Sequence, residues 1–400
     1  MSNRTCKIAL LADVHLMRSQ YGNPKRGAQI CKSLRNAIEV AYEAGAEVIL
    51  CAGDFLDSNT PGATVAAGYV PDIYEDLCNM KMTMYCIKGN HDDVEPCWFD
   101  IIGSVLENVL PAFDNHGIKL LSDGRKIYLP NGISIKGFDF GYRGRIKDNL
   151  ENFKDADIIM LHGEVKEWVG YPSDTAVSLD DFDVQSENKP QLFLIGDTHV
   201  KRKDERNGTS FVSPGSVDYC SKSEINEPKT LTIAEFDEVG GKYKLSALTE
   251  VEYDNTMVAE YTLNTADDVN NMFASLQEHK PLIKSNGMLL YVSYNTDDQH
   301  TSLPTIQARL KELGISEYTT LMAQAMPKDG ASTIEEKIAN ARTIKEQPDN
   351  FFRQKQDLFF QGERSPEFIE LCGKLLNSKD DSKKALDDYI SSKLDTFIIS

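Results

Sequence analysis

The stretch Gly27–Ser58, GAQICKSLRNAIEVAYEAGAEVILCAGDFLDS, decides the fold. Extended back to Arg26, its first part places apolar residues at helical spacing as far as Ala44, and Gly45 stops it. Glu47 to Ala52 is then an apolar run of strand length that ends in Gly53-Asp54-Phe55-Leu56-Asp57. A helix returning the chain to a buried strand, with acids at the strand's carboxyl end, is the unit of an α/β sheet that carries a ligand site.

The same arrangement repeats on both sides of that unit. Residues 6–12 read as a strand running into Asp13-Val14-His15. A helix over Ala63 to Met80 precedes a strand at Met82 to Ile87, which leads into Gly89-Asn90-His91-Asp92. Further strands are predicted at 118–121, 126–129, 133–138, 157–161 and 191–195. The last two run into His162 and into Gly196-Asp197-Thr198-His199. Residues 209–213, 229–236 and 243–252 read as strands, with Asn207-Gly208 and Gly240-Gly241 as turns between them. The predicted class is α/β, a two-sheet β-sandwich core flanked by helices over residues 1–255.

Near residue 255 the pattern changes. Met257 to Leu263, a helix from Ala266 to His279, Gly287 to Tyr294, a helix over Leu303–Leu313 and a strand near Tyr318–Ala323 predict a small α+β domain over 256–330. Residues 331–400 read as a helical segment. Ser332-Thr333-Ile334-Glu335 forms a capping box there, and Pro348 and Pro366 break the helices. These helices pack on the chain's own core or serve a partner.

The chain has 400 residues, 41% of them hydrophobic and 26% charged, which is ordinary for a globular protein. No apolar stretch approaches membrane-span length, and the short run Ile8 to Ala12 is cut by Asp13, unlike a signal peptide. The expectation is a cytoplasmic protein with no membrane partner, its eight scattered cysteines reduced. A net charge of −19 gives no general attraction to phosphates. A nucleic-acid substrate then requires bound metals with a local basic patch, or a partner that supplies the positive groove.

The chemistry lies in the five blocks. Hard divalent cations take oxygen donors, and imidazole suits several transition metals as well. Two cations about 3.5–4 Å apart need a bridging carboxylate and separate terminal ligands. Asp54 is the candidate bridge, with Asp13, His15 and His199 for one ion and Asn90, His162 and Asp197 for the other. His91, beside Asn90, is the candidate acid for the departing alkoxide, since an unperturbed histidine titrates near 6.5. Asp57 reads as a supporting residue rather than a ligand.

These blocks resemble the calcineurin-like metallophosphoesterase superfamily, with its pattern D-x-H, G-D-x-x-D, G-N-H-[DE], a lone H, then G-H-x-H. Within it the chain is most similar to SbcD-type nuclease subunits of bacteria and phages, relatives of the eukaryotic double-strand-break repair nuclease. Gly27–Ser58, Asp180–Asp183 with Leu192–His199, and Ser213-Pro214-Gly215-Ser216-Val217-Asp218-Tyr219 carry that narrower match. The resemblance implies manganese-dependent cleavage of DNA ends, with magnesium as the alternative ion. It also implies a homodimer, a capping domain, and a C-terminal segment that grips an SMC-like coiled-coil ATPase of SbcC type. The chain departs from the pattern at Asp197, where the superfamily has histidine.

Arg18, Lys25 and Arg26 follow the first block, and Lys201-Arg202-Lys203 follow the last. They read either as solvated faces or as contacts to a DNA backbone. Two other functions share the same motifs. One is a phosphoesterase for cyclic nucleotides, small phosphodiesters or phosphoproteins; the other is an inactive scaffold for an ATPase.

Overall fold

A computed structural model describes residues 4–16, 18, 23, 25–57, 63–92, 116–121, 124–140, 150–170, 172–182, 188–296 and 299–326. The helical segment expected at 331–400 lies outside the described residues, as does Asp183. By internal contacts the chain divides into Met1–Gln324 and Ala325–Ser400. Nearly everything described belongs to the first unit.

The chain begins β1 (Thr5–Leu11), α1 (Arg26–Glu43), β2 (Val48–Ala52), α2 (Ala63–Asn79), β3 (Thr83–Ile87) and β4 (Gly117–Leu120). Next come β5 (Ile127–Tyr128), β6 (Ser134–Phe138), β7 (Ile158–His162), β8 (Leu192–Gly196), β9 (Arg202–Arg206) and β10 (Thr209–Ser213). The long strands β11 (Thr230–Val239) and β12 (Lys242–Glu252) close the core. Two six-stranded sheets result, ordered β12-β11-β1-β2-β3-β4 and β5-β6-β7-β8-β10-β9. Strands β1 through β4 are mutually parallel, as are β6, β7, β8 and β10.

Strict alternation assigns each strand's two faces. Ile8, Leu10, Val48, Leu50 and Ile87 meet Ile135, Ile158, Met160, Leu192 and Leu194 between the sheets. Ala9, Leu11, Ile49, Cys51 and Met84 point the other way, onto Leu34, Ile38, Ile73 and Leu77 of the two helices. Parallel strands covered on both faces are mostly apolar, which is why β2, β7 and β8 appear in the sequence as near-continuous apolar runs. The outer face of the second sheet packs Phe138, Phe153, Phe182, Phe193 and Phe211 together. A two-sheet α/β sandwich flanked by helices is therefore the observed core.

The small α+β domain carries a third sheet, β13-β14-β15, from β13 (Met257–Leu263), β14 (Met288–Tyr294) and β15 (Thr319–Ala325). Its helices are α3 (Ala266–Glu278), α4 (Lys280–Asn286) and α5 (Leu303–Leu313). The predicted helix to His279 ends one residue earlier, and a second helix starts at once with Pro281 in its first turn. Proline has no N–H to continue a helix but fits the beginning of a new one. Also unpredicted is β9, an edge strand built from the charged run after His199. It pairs with β10 through a turn in which Asn207 and Gly208 both take positive φ (50° and 76°). Charged side chains on an exposed edge discourage pairing with other chains.

Among the described residues, no helix is long and apolar enough to cross a membrane. The described cysteines, Cys6, Cys31, Cys51, Cys78, Cys86 and Cys220, form no disulfide.

Candidate metal centre

Five strand ends converge at one end of the sandwich. Asp13 and His15 follow β1, Asp54 follows β2, Asn90 follows β3, His162 is the last residue of β7, and Asp197 and His199 follow β8. Five of these seven take a left-handed backbone: φ is 50° at Asp13, 48° at His15, 50° at Asp54, 94° at Asp197 and 56° at His199. Non-glycine residues are rarely found there, and such strain gathers at functional sites. Interstrand bonds hold the turns: Asp13 N donates to Gly53 O at 3.1 Å, and His15 N to Asp54 O at 2.8 Å. Gly89 leaves room for the carboxylate, since a Cβ on it would stand 2.0 Å from Asp54 Oδ1.

The ligand atoms of Asp13, His15, Asp54 and His199 all lie within 4.8 Å of one another. His15 Nε2 and His199 Nε2 face each other at 3.0 Å. On the other side, His162 Nε2 is 3.0 Å from Asn90 Oδ1, 3.5 Å from Asp54 Oδ1 and 3.8 Å from Asp197 Oδ1. Asp54 touches both groups, with Oδ2 3.6 Å from His15 Nε2. The seven sequence candidates thus form two neighbouring sets with Asp54 between them.

The donor chemistry fits divalent cations. His162 Nδ1 lies 2.8 Å from Ala52 O; a carbonyl only accepts, so Nδ1 carries a proton and Nε2 is the ring nitrogen turned toward the other candidate ligands. Burial works against charge on His162, yet Asp54, Asp13 and Asp197 draw its imidazole up to about 10. Burial alone would raise the Asp54 carboxyl too, but His162 and His15 hold it well below the usual carboxylate range. Crowded carboxylates that pull protons onto buried imidazoles mark a place where a cation is electrostatically favoured. His15, buried and fully enclosed, is pushed down, which keeps its lone pair available.

His91 Nδ1 is 2.5 Å from the Asp57 carbonyl, so its Nε2 is the position left to exchange a proton. Asp57 Oδ1 lies 3.2 Å from His15 Nδ1 and accepts from Arg18 Nη1 at 2.8 Å. Asp92, the last residue of Gly89-Asn90-His91-Asp92, is buried. Its buried carboxylate accepts from the amides of Phe55, Leu56 and Gly89, fastening the Asp54 loop to the Asn90 loop. Burial, then the charge of Asp54, raise it to about 7. Glu224 and Lys229, both buried next to His199, carried no sequence signal at all.

The basic candidates separate. Arg26 is fully buried and bonds Asp218 at 2.8 Å, Tyr219 O at 2.9 Å and Thr256 at 2.8 Å, so the expectation that it contacts DNA is corrected. Its charge ties α1 to the Ser213–Tyr219 block and to the start of the small domain. Lys25 reaches that domain as well, pairing with Glu317 at 3.1 Å. Lys201 pairs with Glu250 at 2.6 Å, and Arg202 donates to Lys201 O at 2.8 Å. Ser213–Tyr219 braces the site: Val217 N donates to Asp13 O and Ser216 N to His199 O.

A family model for the calcineurin-like phosphoesterase superfamily domain matches residues 6–239, and the chain belongs to that superfamily. Three archaeal proteins described as DNA double-strand break repair protein Mre11 are similar to it. That of Archaeoglobus fulgidus is 26% identical over 226 residues, covering 53% of this chain and 50% of the relative. That of Sulfolobus acidocaldarius is 23% identical, covering 54% and 56%. That of Methanosarcina acetivorans is 23% identical over 311 residues, covering 74% and 47%. The chain spans about half the length of these curated relatives. The resemblance to double-strand-break repair nucleases is borne out at this level of identity.

Proposed function

We propose that the chain is a two-metal phosphodiesterase that cleaves DNA at its ends, with manganese as the working ion and magnesium as the alternative. The observation that carries the chemistry is the pair of ligand sets sharing Asp54, with imidazole Nε2 atoms turned inward. Two cations held there would neutralise charge growing on the phosphate's non-bridging oxygens and activate an attacking water. The chain's own residues do the rest. Asp13, His15, Asp54 and His199 would hold one ion, and Asp54, Asn90, His162 and Asp197 the other. His91, its Nδ1–H hydrogen-bonded to the Asp57 carbonyl, would act as an imidazolium that passes its Nε2 proton to the leaving alkoxide and remains as neutral imidazole.

The substrate class rests on similarity to proteins described as Mre11 and on the Ser213–Tyr219 block. Arg18, Lys201 and Arg202, partly exposed near the ligand loops, are the proposed backbone contacts. With the chain as a whole acidic, the remaining attraction is proposed to come from an SMC-like ATPase bound through 331–400, while the homodimer rests on the family resemblance alone. The deciding experiment compares a 3′-labelled duplex with bis-p-nitrophenyl phosphate and cyclic nucleotides, with manganese present. Shortening of the duplex supports the nuclease; turnover of the small esters alone returns the chain to a small-substrate phosphoesterase. Deleting 332–400 should spare cleavage of simple DNA and abolish ATPase association.

A further inference from the structure

Behind His199 lies a buried ionic group that the ligand set does not use. Glu224, 1% exposed, places Oε1 3.6 Å from His199 Nδ1. Its Oε2 accepts from Lys229 Nζ at 2.6 Å, Ser216 Oγ at 2.7 Å and Cys220 N at 3.1 Å, while Ser221 Oγ donates to Oε1 at 2.9 Å. Lys229, 6% exposed, also bonds Ser216 Oγ at 2.7 Å and the His199 carbonyl at 3.4 Å. Packing does not call for such a pair, because apolar side chains of similar volume often stabilise an interior at least as well. Its placement is therefore informative.

The other two imidazoles of the centre show what it does. His162 has its outer nitrogen on the Ala52 carbonyl, and His15 has its own beside Asp57. His199 has Glu224 in the corresponding position. At 3.6 Å this contact is longer than a hydrogen bond and acts through charge.

We propose that Glu224 is a positioning residue for the metal centre: its carboxylate favours the His199 tautomer with the proton on Nδ1, which turns the Nε2 lone pair toward His15 and the cation, and Lys229 anchors Glu224 in that orientation. The inference rests on the two-metal reading above. Carboxylates behind metal-bound histidines fix ring orientation and raise ligand basicity, and removing them typically weakens metal binding 10–100-fold.

The test is a manganese titration of the full chain, read from the electron paramagnetic resonance of free Mn2+, beside thermal melting. The double variant Glu224→Gln/Lys229→Met removes both charges together, so neither is stranded in the interior. In the folded double variant one of the two manganese equivalents should weaken about 10–100-fold while the other is unchanged. Should that variant not fold, Glu224→Gln keeps the shape and should show the same selective loss, smaller in size. Equal weakening of both equivalents, or of neither, overturns the positioning role and leaves the two-metal reading standing. A wild-type chain that takes up fewer than two equivalents overturns both.

Discussion

Asp197 occupies a position where the superfamily pattern has histidine, and its Oδ1 lies 3.8 Å from His162 Nε2. A carboxylate still suits a hard cation, while adding negative charge to the cluster. Asp197→Ala should abolish phosphodiester cleavage and Asp197→His should retain part of it. Full activity in the alanine variant would remove Asp197 from the ligand set. Single residues also show why some of the site was legible and some was not. The ligands sit in short blocks at strand ends, where composition and periodicity mark them locally. Arg26 and Glu224 look alike in the sequence, each one charged residue in a polar stretch. Arg26 is buried against segments distant in the chain and Glu224 against its own loop and His199, and the adjoining sequence announces neither. From the sequence, Arg26 therefore reads as a surface cation, and Glu224 carries no signal.

At the scale of elements, α3 is the most local piece of the small domain. Its cap is reciprocal: Thr265 Oγ1 accepts from Asp268 N at 3.3 Å, and Asp268 Oδ2 accepts from Thr265 N at 2.9 Å. Thr265→Ala should lower stability by about 1 kcal/mol in denaturant melts, without changing metal uptake. A loss of metal uptake would show that the small domain and the ligand loops are coupled more tightly than the cap implies. Strands and helices were legible because two-sided burial imposes long apolar runs and helical spacing. β9 was not, because an edge strand needs no apolar face and its charges outweigh the pattern. The adjoining turn, Asn207-Gly208, was the one available sign of a hairpin.

Across the whole molecule, one buried network joins the core to the small domain. Asp218 accepts from Arg26 at 2.8 Å, Ser33 at 2.6 Å and Thr256 at 2.7 Å. Gln29 and Lys32 of α1 add bonds to Tyr318 O and Ser285 O. Arg26→Met strands the Asp218 charge and should cost about 3–5 kcal/mol, read by chemical denaturation. Burial would raise the Asp218 carboxyl, but Arg26 holds it below its ordinary 3.8. A depressed folded value means the stabilisation is complete above pH 3.8 and fades as pH falls through the folded value. Acid melts of Asp218→Asn should lose this component; an identical acid profile would show that the network carries no linked proton.

Asp13, on the first sheet, accepts the Asp197 amide of the second at 2.9 and 3.1 Å. The two halves of the sandwich are thus stitched at the open end by the very groups that would bind cations. Loading that end should slow hydrogen–deuterium exchange along β7 and β8, well beyond the ligand loops, and chelation should restore the faster rate. Exchange that slows only at the ligand loops would mean that the sheets already hold together without the ions.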